Sequence, residues 1–392
     1  MTDLYNEELK ELSNSKYSMT NYMLGVGAFG KVFQCKENAN KKKGFVVKIY
    51  PMKYKKYAVQ EINVFNKLNK HKRIHIDEYM QSNIVGFYDY YVSSDHIYAI
   101  FEKASISLED FIIQFNKRFQ SRPPLFLIIK IIKDVLIGLI ELNRSNIIHC
   151  DLKMDNIFLN FNKNIEEYFK LFQKDNMDQQ KIKDAVTVKL IDLNKSTFIN
   201  QICKSITIQT LEFQAPEIAL GNNNYNESVD TWSVGIILWN LITGFNLIDF
   251  DNIREEYYPF YKDYILDSSI SERTESSKDS TSEEAYYEST DVDNLVYLYK
   301  LSNVIGGYDK DLLLGSNVEN YYRSNLLLGQ TCINNTPNIC NIIMSELPNF
   351  KINETDKELK LKYICELLTK KILIYNMNNR LTPFAFYNIL NQ

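Results

Sequence analysis

The sequence lacks three features, each of which would have pointed to a particular class of protein. None of its six cysteines lies in a Cys-x-x-Cys pair, so a disulfide framework is not expected and a reducing compartment fits better. The formal net charge is only −4, which argues against binding to nucleic acid or acidic membranes through bulk electrostatics. No apolar run reaches the ~18 residues that span a bilayer.

The N-terminus is equally uninformative about targeting, since MTDLYNEELKELSNSKY is polar and acidic and does not resemble a signal peptide. We therefore expect an intracellular protein, in the cytoplasm, the nucleus or both, without a membrane or nucleic-acid partner. The longest apolar stretch, 125–140, contains Lys130, Lys133 and Asp134, which predicts a buried amphipathic helix. The oligomeric state stays open.

The pattern of residues changes along the chain. Residues 1–18 form a predicted polar arm, and Tyr22 to about Ile100 contains short β-branched and aromatic segments typical of strands. One helix is predicted among them, at Val59–Leu68, and the chain after Ser107 is mainly helical in pattern. An α+β fold with two lobes follows from this order.

Two polar segments interrupt this pattern, at about 160–184 and 251–291. The first lies between NIFL and VTVKLI, which we expect to pair as strands. Within the second, Asp267–Asp291 is rich in Ser, Thr and Glu and is expected to be disordered. We interpret both as surface insertions, and a segment regulated by phosphorylation is the alternative for the second.

A glycine motif stands near the start of the predicted strands, with Gly25, Val26, Gly27, Phe29 and Gly30. On its own it fits a dinucleotide fingerprint, a phosphate-binding loop or a chance turn. Strand-like KVFQC, which includes Val32, follows instead of a helix, which favours a β-hairpin over phosphates.

A lysine on the next strand supplies a cation for those phosphates. Lys48 lies eighteen residues after Gly30, between GFVV and IY. Such a lysine needs an acidic partner, and Glu61 on the predicted helix is the first candidate, with Asp77 and Glu78 as the other nearby acids. An edge lysine with a solvated ammonium is the structural alternative for Lys48.

The most specific motif is Ile148-His149-Cys150-Asp151-Leu152-Lys153-Met154-Asp155-Asn156, which matches H-R-D-L-x-x-x-N except at the arginine. In that motif Asp151 accepts the proton of a substrate hydroxyl, Lys153 neutralises the transferring phosphoryl group, and Asn156 binds a metal ion. A polar loop between a helix and a strand is the alternative.

Further motifs follow in a fixed order. Asp192 lies at the D-F-G position and is the second predicted magnesium ligand, Ala215-Pro216-Glu217 matches A-P-E, and Arg380 is a predicted partner of Glu217. From about Tyr22 to the C-terminus the chain therefore resembles the eukaryotic protein kinase superfamily. IIHCDLK, IQTxxFxAPE and LITGFNL resemble the dual-specificity tyrosine-regulated (DYRK) and homeodomain-interacting kinases of the CMGC group.

The resemblance implies a two-lobed kinase fold: a small antiparallel β lobe with one helix at about 22–101, a hinge at 102–105, and a larger helical lobe at 106–392. It implies an ATP- and Mg²⁺-dependent serine/threonine kinase acting on proteins. Thr210 would act beside Asp151 and Lys153. The nucleotide would contact Val46, Lys48, the hinge residues Glu102 and Ala104, and Phe158, besides the glycine motif.

The chain departs from the family pattern at several positions. Cys150 cannot bind a phosphate on the activation segment, and Gln214 replaces an arginine associated with proline-directed specificity. Asn194 replaces the glycine of D-F-G, while Val46 and Phe158 add volume to the nucleotide pocket. These changes motivate the alternative of a pseudokinase scaffold. A small-molecule kinase is disfavoured by Thr210, the A-P-E motif and the helix at Asp230.

Overall fold

The computed structural model describes residues 16–38, 44–72, 82–173, 177–199, 208–222, 224–248, 294–306 apart from 295, 299 and 303, 339–352, and 356–391. The chain forms two compact units: the first runs to Ile208 and resumes at Pro383, and the second is Gln209–Thr382. This division differs from the predicted lobes, whose boundary lay at the hinge. The insertion at 251–291 lies outside the described residues.

A five-stranded antiparallel sheet begins the first unit, in the order β1-β2-β3-β5-β4. Its strands are β1 Tyr17–Gly27, β2 Gly30–Glu37, β3 Gly44–Pro51, β4 Phe87–Val92 and β5 His96–Glu102. Strand β1 begins inside the predicted polar arm, because Tyr17 and Met19 alternate onto the buried face with Phe33 and Cys35.

One helix accompanies this sheet, α1 at Lys55–Lys72, which extends the predicted helix in both directions. Its buried positions include Ala58, Glu61, Ile62, Phe65 and Leu68, which recur at helical spacing. Glu61 is thus a carboxylate on the buried face of an otherwise apolar stripe. The predicted small antiparallel sheet with a single helix is confirmed.

Helices dominate the chain after Ser107, as predicted. The hydroxyl of Ser107 caps α2, Leu108–Phe119, by accepting a hydrogen bond from the Asp110 backbone N–H at 3.0 Å. The next helix, α3 at Leu125–Arg144, buries most of its apolar residues and confirms the predicted buried helix.

Five short strands form two further small sheets. Strand β6, Ile106–Ser107, precedes α2, and the others follow α3: β7 Ile147–Ile148, β8 Ile157–Phe161, β9 Val186–Leu190 and β10 Thr197–Phe198. Strand β8 pairs with β6 and β9, and β7 pairs with β10, all antiparallel. The predicted pairing of NIFL with VTVKLI is confirmed. Short 3-10 helices lie at Met52–Tyr54, Met154–Asn156, Lys170–Gln173 and Leu193–Lys195.

The segment between β8 and β9 is more than a polar surface insertion. It contains α4 at Ile165–Phe169 and α5 at Gln179–Asp184. Tyr168, Phe169 and Phe172 are buried against three phenylalanines of α2. We call this set the insertion cluster; its members are Phe111, Phe115, Phe119, Tyr168, Phe169 and Phe172.

The second unit is built mainly from helices. Its described elements include a 3-10 helix at Leu211–Phe213, α6 Pro216–Ala219, α7 Ser228–Thr243, α8 Ile339–Ser345, a 3-10 helix at Leu347–Asn349, α9 Lys357–Leu367 and a π-helical turn at Leu368–Ile372. Helix α7 is buried along its whole length. The chain then returns to the first unit, where α10, Pro383–Leu390, packs on α3.

Candidate active site

On strand β3, three side chains lie on the face of the sheet that is turned away from the apolar core. Phe45, Val47 and Ile49 belong to that core. Because side chains alternate along a strand, Val46, Lys48 and Tyr50 share the other face. The Lys48 ammonium lies 4.8 Å from the centroid of the Tyr50 ring, as expected for positions two residues apart.

Lys48 joins two acidic side chains that are far apart in sequence. Its Nζ lies 2.5 Å from Oδ1 of Asp192 and 3.5 Å from Oε2 of Glu61. Helix α1 packs against the 3-10 turn Leu193–Lys195 that follows Asp192, which brings both acids to the lysine. Asp77 and Glu78, the alternative partners, lie outside the described residues.

These charges alter one another's protonation. Burial lowers the pKa of the Lys48 ammonium, but the carboxylates of Asp192 and Glu61 outweigh it, so the pKa is raised. Burial raises the pKa of the Asp192 carboxyl, yet the attraction of Lys48 lowers it overall. For Glu61 burial wins over Lys48, and its pKa is raised. The lysine is therefore held as a cation between the two carboxyl groups.

The β8–β9 hairpin places Asn156 beside Asp192. Asn156 immediately precedes β8, and Asp192 follows shortly after β9, whose last residue pairs with the first residue of β8. The Ile191 N–H donates to the Asn156 carbonyl at 3.0 Å. Asp192 itself has φ 63°, a left-handed conformation that Asp tolerates better than most residues.

The loop that precedes β8 carries the other predicted catalytic groups. The Asn156 side-chain N–H donates to the Asp151 carbonyl at 2.8 Å, which ties the two ends of the loop together. His149 Nδ1 accepts from the Asp151 N–H at 3.3 Å, so its Nε2 donates to the Ile191 carbonyl at 3.2 Å. Asp151 is buried, and Lys153 lies close enough to contribute to the lowered pKa of Asp192.

The glycine motif forms the expected β-hairpin rather than a helix start. Gly27 pairs with Gly30 at the tip, Gly25 pairs with Val32, and Val26 is exposed. A Cβ at Gly30 would lie 2.1 Å from the Ile49 carbonyl oxygen, so only glycine fits there. The ring of Phe29 stacks on Tyr57 of α1 with centroids 3.8 Å apart, and its contact with a nucleotide stays a prediction.

The residues assigned to the adenine end are placed on β3, β5 and β8. Val46 pairs with Phe101 on β5, Glu102 ends β5, and Ala104 follows it. The Glu102 carboxylate accepts from the Gly86 N–H at 3.0 Å and lies 3.2 Å from Lys189 Nζ, and the Glu102 N–H donates to the Gly86 carbonyl at 2.8 Å. The contact of Glu102 with a nucleotide stays a prediction. Phe158 is half-buried on β8, opposite Ser107.

Two further predicted residues belong to the second unit. Thr210 precedes the 3-10 turn Leu211–Phe213, and its role beside Asp151 stays a prediction. The predicted pairing of Arg380 with Glu217 is confirmed as a buried bidentate contact, with N–O distances of 2.7 and 3.0 Å. The Arg380 guanidinium also lies over Trp232 at 4.9 Å.

Comparison with known proteins decides the family. The sequence profile of the protein kinase domain matches residues 19–391. The chain belongs to the protein kinase family. The predicted fold is thereby confirmed, and the match begins three residues before the predicted Tyr22.

Curated relatives of this kinase are about 30% identical. Serine/threonine-protein kinase AFC1 of Arabidopsis thaliana is 30% identical over 56% of this chain and 46% of its own. Mouse homeodomain-interacting protein kinase 1 is 29% identical over 64% of this chain and 18% of its own. Mouse dual specificity protein kinase CLK2 is 29% identical over 59% and 44%.

These relatives include kinases of the CMGC group, as the motifs predicted. The kinase spans less than half the length of each of these three relatives. Among its described residues, no helix is long and apolar enough to cross a bilayer.

The donor groups of the kinase suit a magnesium–nucleotide. Asp192 offers a carboxylate, and Asn156, whose amide N–H is already engaged, offers its side-chain oxygen. Mg²⁺ prefers such oxygen ligands and takes the rest of its shell from phosphates and water. The site therefore fits the ion that the family uses.

Two contacts of the kinase site were missed from sequence. Tyr50 donates a hydrogen bond from its hydroxyl to the Glu61 carboxylate, and period-two alternation from Lys48 would have placed it there. Lys195 Nζ lies 3.3 Å from Oδ1 of Asp151, and no motif position pointed to it.

Proposed function

We propose that this chain transfers the γ-phosphate of Mg-ATP to serine or threonine hydroxyls of proteins. The observation that carries the proposal is the bridge of Lys48 between Glu61 and Asp192. In kinases the lysine–glutamate pair and the magnesium-binding aspartate must be in place together for phosphoryl transfer. Family membership and the named serine/threonine kinase AFC1 support the same activity.

Each residue has a defined task in this proposal. Lys48, oriented by Glu61, holds the α- and β-phosphates, while the glycine hairpin covers them. Asp151 orients the substrate hydroxyl and accepts its proton, and Lys153 stabilises the charge of the transferring group. Asp192 and Asn156 would hold Mg²⁺, which neutralises phosphate charge when bound. Thr210 would position Asp151 and Lys153 for a serine or threonine acceptor.

The test measures transfer of radiolabelled phosphate from Mg-ATP to a generic basic protein. Asp151→Asn keeps the shape of the side chain but removes its basicity, so transfer should fall by about 10²–10⁴-fold. Asp184→Asn makes the same chemical change on exposed helix α5 and should leave transfer unaltered.

Nucleotide binding is measured alongside, as the rise in melting temperature on adding Mg-ATP. Binding without transfer by the wild type would overturn the proposal in favour of a scaffold. Transfer that survives Asp151→Asn unchanged would overturn the assigned chemistry. Phosphoamino-acid analysis of the product checks the choice of serine and threonine over tyrosine.

A further inference from the structure

Tyr50 is buried within the charged cluster yet has no assigned task. Its side chain is 0% exposed, and its hydroxyl donates to Oε2 of Glu61, the same oxygen that lies 3.5 Å from Lys48. That lysine distance is longer than a normal charge-assisted hydrogen bond. The tyrosine hydroxyl is therefore the nearer partner of the Glu61 carboxylate.

The position of Glu61 makes this contact important. Glu61 is 1% exposed, and a buried carboxylate needs hydrogen-bond donors to stay charged and fixed in one orientation. Lys48 is shared with Asp192, to which it is closer. Tyr50 donates to Glu61 from a rigid strand and also lies beneath the Lys48 ammonium. One side chain thus contacts both members of the lysine–glutamate pair.

The helix that carries Glu61 is also joined to the turn after Asp192. The Gln60 amide of α1 donates to the Ser196 carbonyl at 2.6 Å. This contact holds α1 next to the turn that follows Asp192.

We infer that Tyr50 is a positioning residue for phosphoryl transfer, which fixes the Glu61 carboxylate against Lys48. The inference rests on the proposed function and deepens it. Tyr50 touches no reacting atom and acts through Glu61. Strand β3 therefore carries both Lys48 and Tyr50, the residue that holds Glu61 of α1 next to that lysine.

The first test is Tyr50→Phe, which removes the hydroxyl and keeps the ring. We expect kcat/KM for ATP to fall about tenfold, the effect of one hydrogen bond to a charged group. Tyr168→Phe is the matched control, since it removes another buried hydroxyl in the first unit, which has no hydrogen-bond partner among the described residues. Its kinetics should equal those of the wild type.

The pH profile separates positioning from a merely structural role. The groups that face Glu61 are Lys48, Asp192 and Tyr50, and the Tyr50 hydrogen bond opposes the burial that raises the pKa of Glu61. Without the hydroxyl that pKa rises further, so the acid limb of kcat/KM should move to higher pH in Tyr50→Phe. The loss should therefore be larger at pH 6 than at pH 8. A uniform loss at all pH values, or none, would overturn the inference.

Coupling between Tyr50 and Glu61 is measured with a double-mutant cycle. We expect Tyr50→Phe to cost less in a Glu61→Gln background than in the wild type, because the charged acceptor of the hydroxyl is then gone. Multiplicative effects of the two changes would overturn the inference. If Tyr50→Phe does not fold by its melting curve, Tyr50→Met, which also lacks the hydroxyl, takes its place, and an acid limb that does not shift would count against the inference.

Failure of the inference is distinguishable from failure of the proposed function. If the wild-type chain transfers no phosphate, the proposed function fails, and Mg-ATP affinity by calorimetry between pH 6 and 8 replaces kcat/KM as the readout. Tyr50→Phe should then weaken nucleotide binding most at pH 6. Equal affinity of Tyr50→Phe and Tyr168→Phe across that range would overturn the inference by itself.

Discussion

Two buried clusters of the first unit are held together by opposite means. In the charged cluster of Lys48, Glu61 and Asp192, contacts among the three groups and the hydroxyl of Tyr50 offset the cost of burial. In the insertion cluster, aromatic rings from α2 and the segment after β8 pack with centroids 5.1–6.2 Å apart.

Within one compact unit, the charged cluster provides groups for chemistry, whereas the insertion cluster contributes to the stability of the fold. A buried ion pair is weak evidence for stability, because the cost of desolvation can exceed the attraction between the charges. It points to a functional site, because strongly shifted pKa values cluster at such sites. Buried aromatic rings contribute free energy of folding without any reactive group. Changes in the two clusters should therefore have different consequences, and this contrast can be tested.

The largest expected effect is loss of activity on Lys48→Arg. Arginine keeps the charge but presents a planar fork rather than a compact ammonium, so the contacts to Glu61 and Asp192 cannot both be kept. We expect kcat/KM for phosphate transfer to fall about 10²–10³-fold, the cost of losing one preorganised donor. The melting temperature should change far less than the rate. A variant that unfolds instead of losing activity would contradict the contrast.

Phe169→Ala should lower the stability of the fold and leave the rate of phosphate transfer unchanged. Phe169 is 1% exposed and contacts three phenylalanines of α2. Its truncation should lower the free energy of unfolding by about 3–5 kcal/mol. That corresponds to a fall in melting temperature of roughly 10 °C, measured by scanning calorimetry. Below the transition the rate per folded molecule should match the wild type; a rate loss in fully folded protein would link the two clusters.

Tyr168→Phe tests the cost of a buried hydroxyl within the insertion cluster. Its hydroxyl is buried with no hydrogen-bond partner among the described residues, which carries a desolvation cost. Replacing it with hydrogen should stabilise the fold by about 1 kcal/mol, read as a higher urea midpoint. Tyr98→Phe, at a buried tyrosine of β5, serves as the comparison. A lower midpoint for Tyr168→Phe would show that the hydroxyl has a partner.

The charged groups of the candidate site were largely predictable from sequence, whereas the insertion cluster was not. Lys48, Asp151, Asn156 and Asp192 each stand in a motif whose spacing fixes the residue type, because chemistry needs one particular group at each position. Tyr50 belongs to no motif, although strand alternation alone places it beside Lys48.

The burial of aromatic residues in the first insertion was not predicted, because the segment is polar in overall composition. The segment 160–184 is charged overall, yet Tyr168, Phe169 and Phe172 recur at helical spacing and bury one face against α2. Such packing depends on a partner helix fifty residues earlier, which local pattern does not reveal. The start of β1 was missed for the same reason, since Tyr17 is buried by strands that follow it.

Helix α2 contacts both the insertion cluster and the catalytic loop. Its later turns carry the phenylalanines of the insertion cluster, and the helix also packs against the turn Met154–Asn156 of the catalytic loop. Neighbouring carboxyl groups cannot both be charged at low cost. The proximity of the Asp155 carboxyl, with burial and the charge of Asp110, raises the pKa of Glu109 to about 7.

The smallest expected effect concerns the proton of Glu109. Because the pKa of Glu109 is raised on folding, its contribution to stability is present below its ordinary value of 4.5 and is lost as pH rises through about 7. Glu109→Gln keeps a donor to Asp155 without a titrating group, so it should match the wild type near pH 5 and exceed it at pH 8. Glu109 is only half-buried, so solvent screening limits the gain to about 1 kcal/mol or less. Urea midpoints at pH 5, 6, 7 and 8 measure it, with Glu166→Gln, at an exposed position of α4, as the control. A gain that is equal at all four pH values would mean that Glu109 carries no shared proton, and that α2 contributes to the catalytic loop through packing alone.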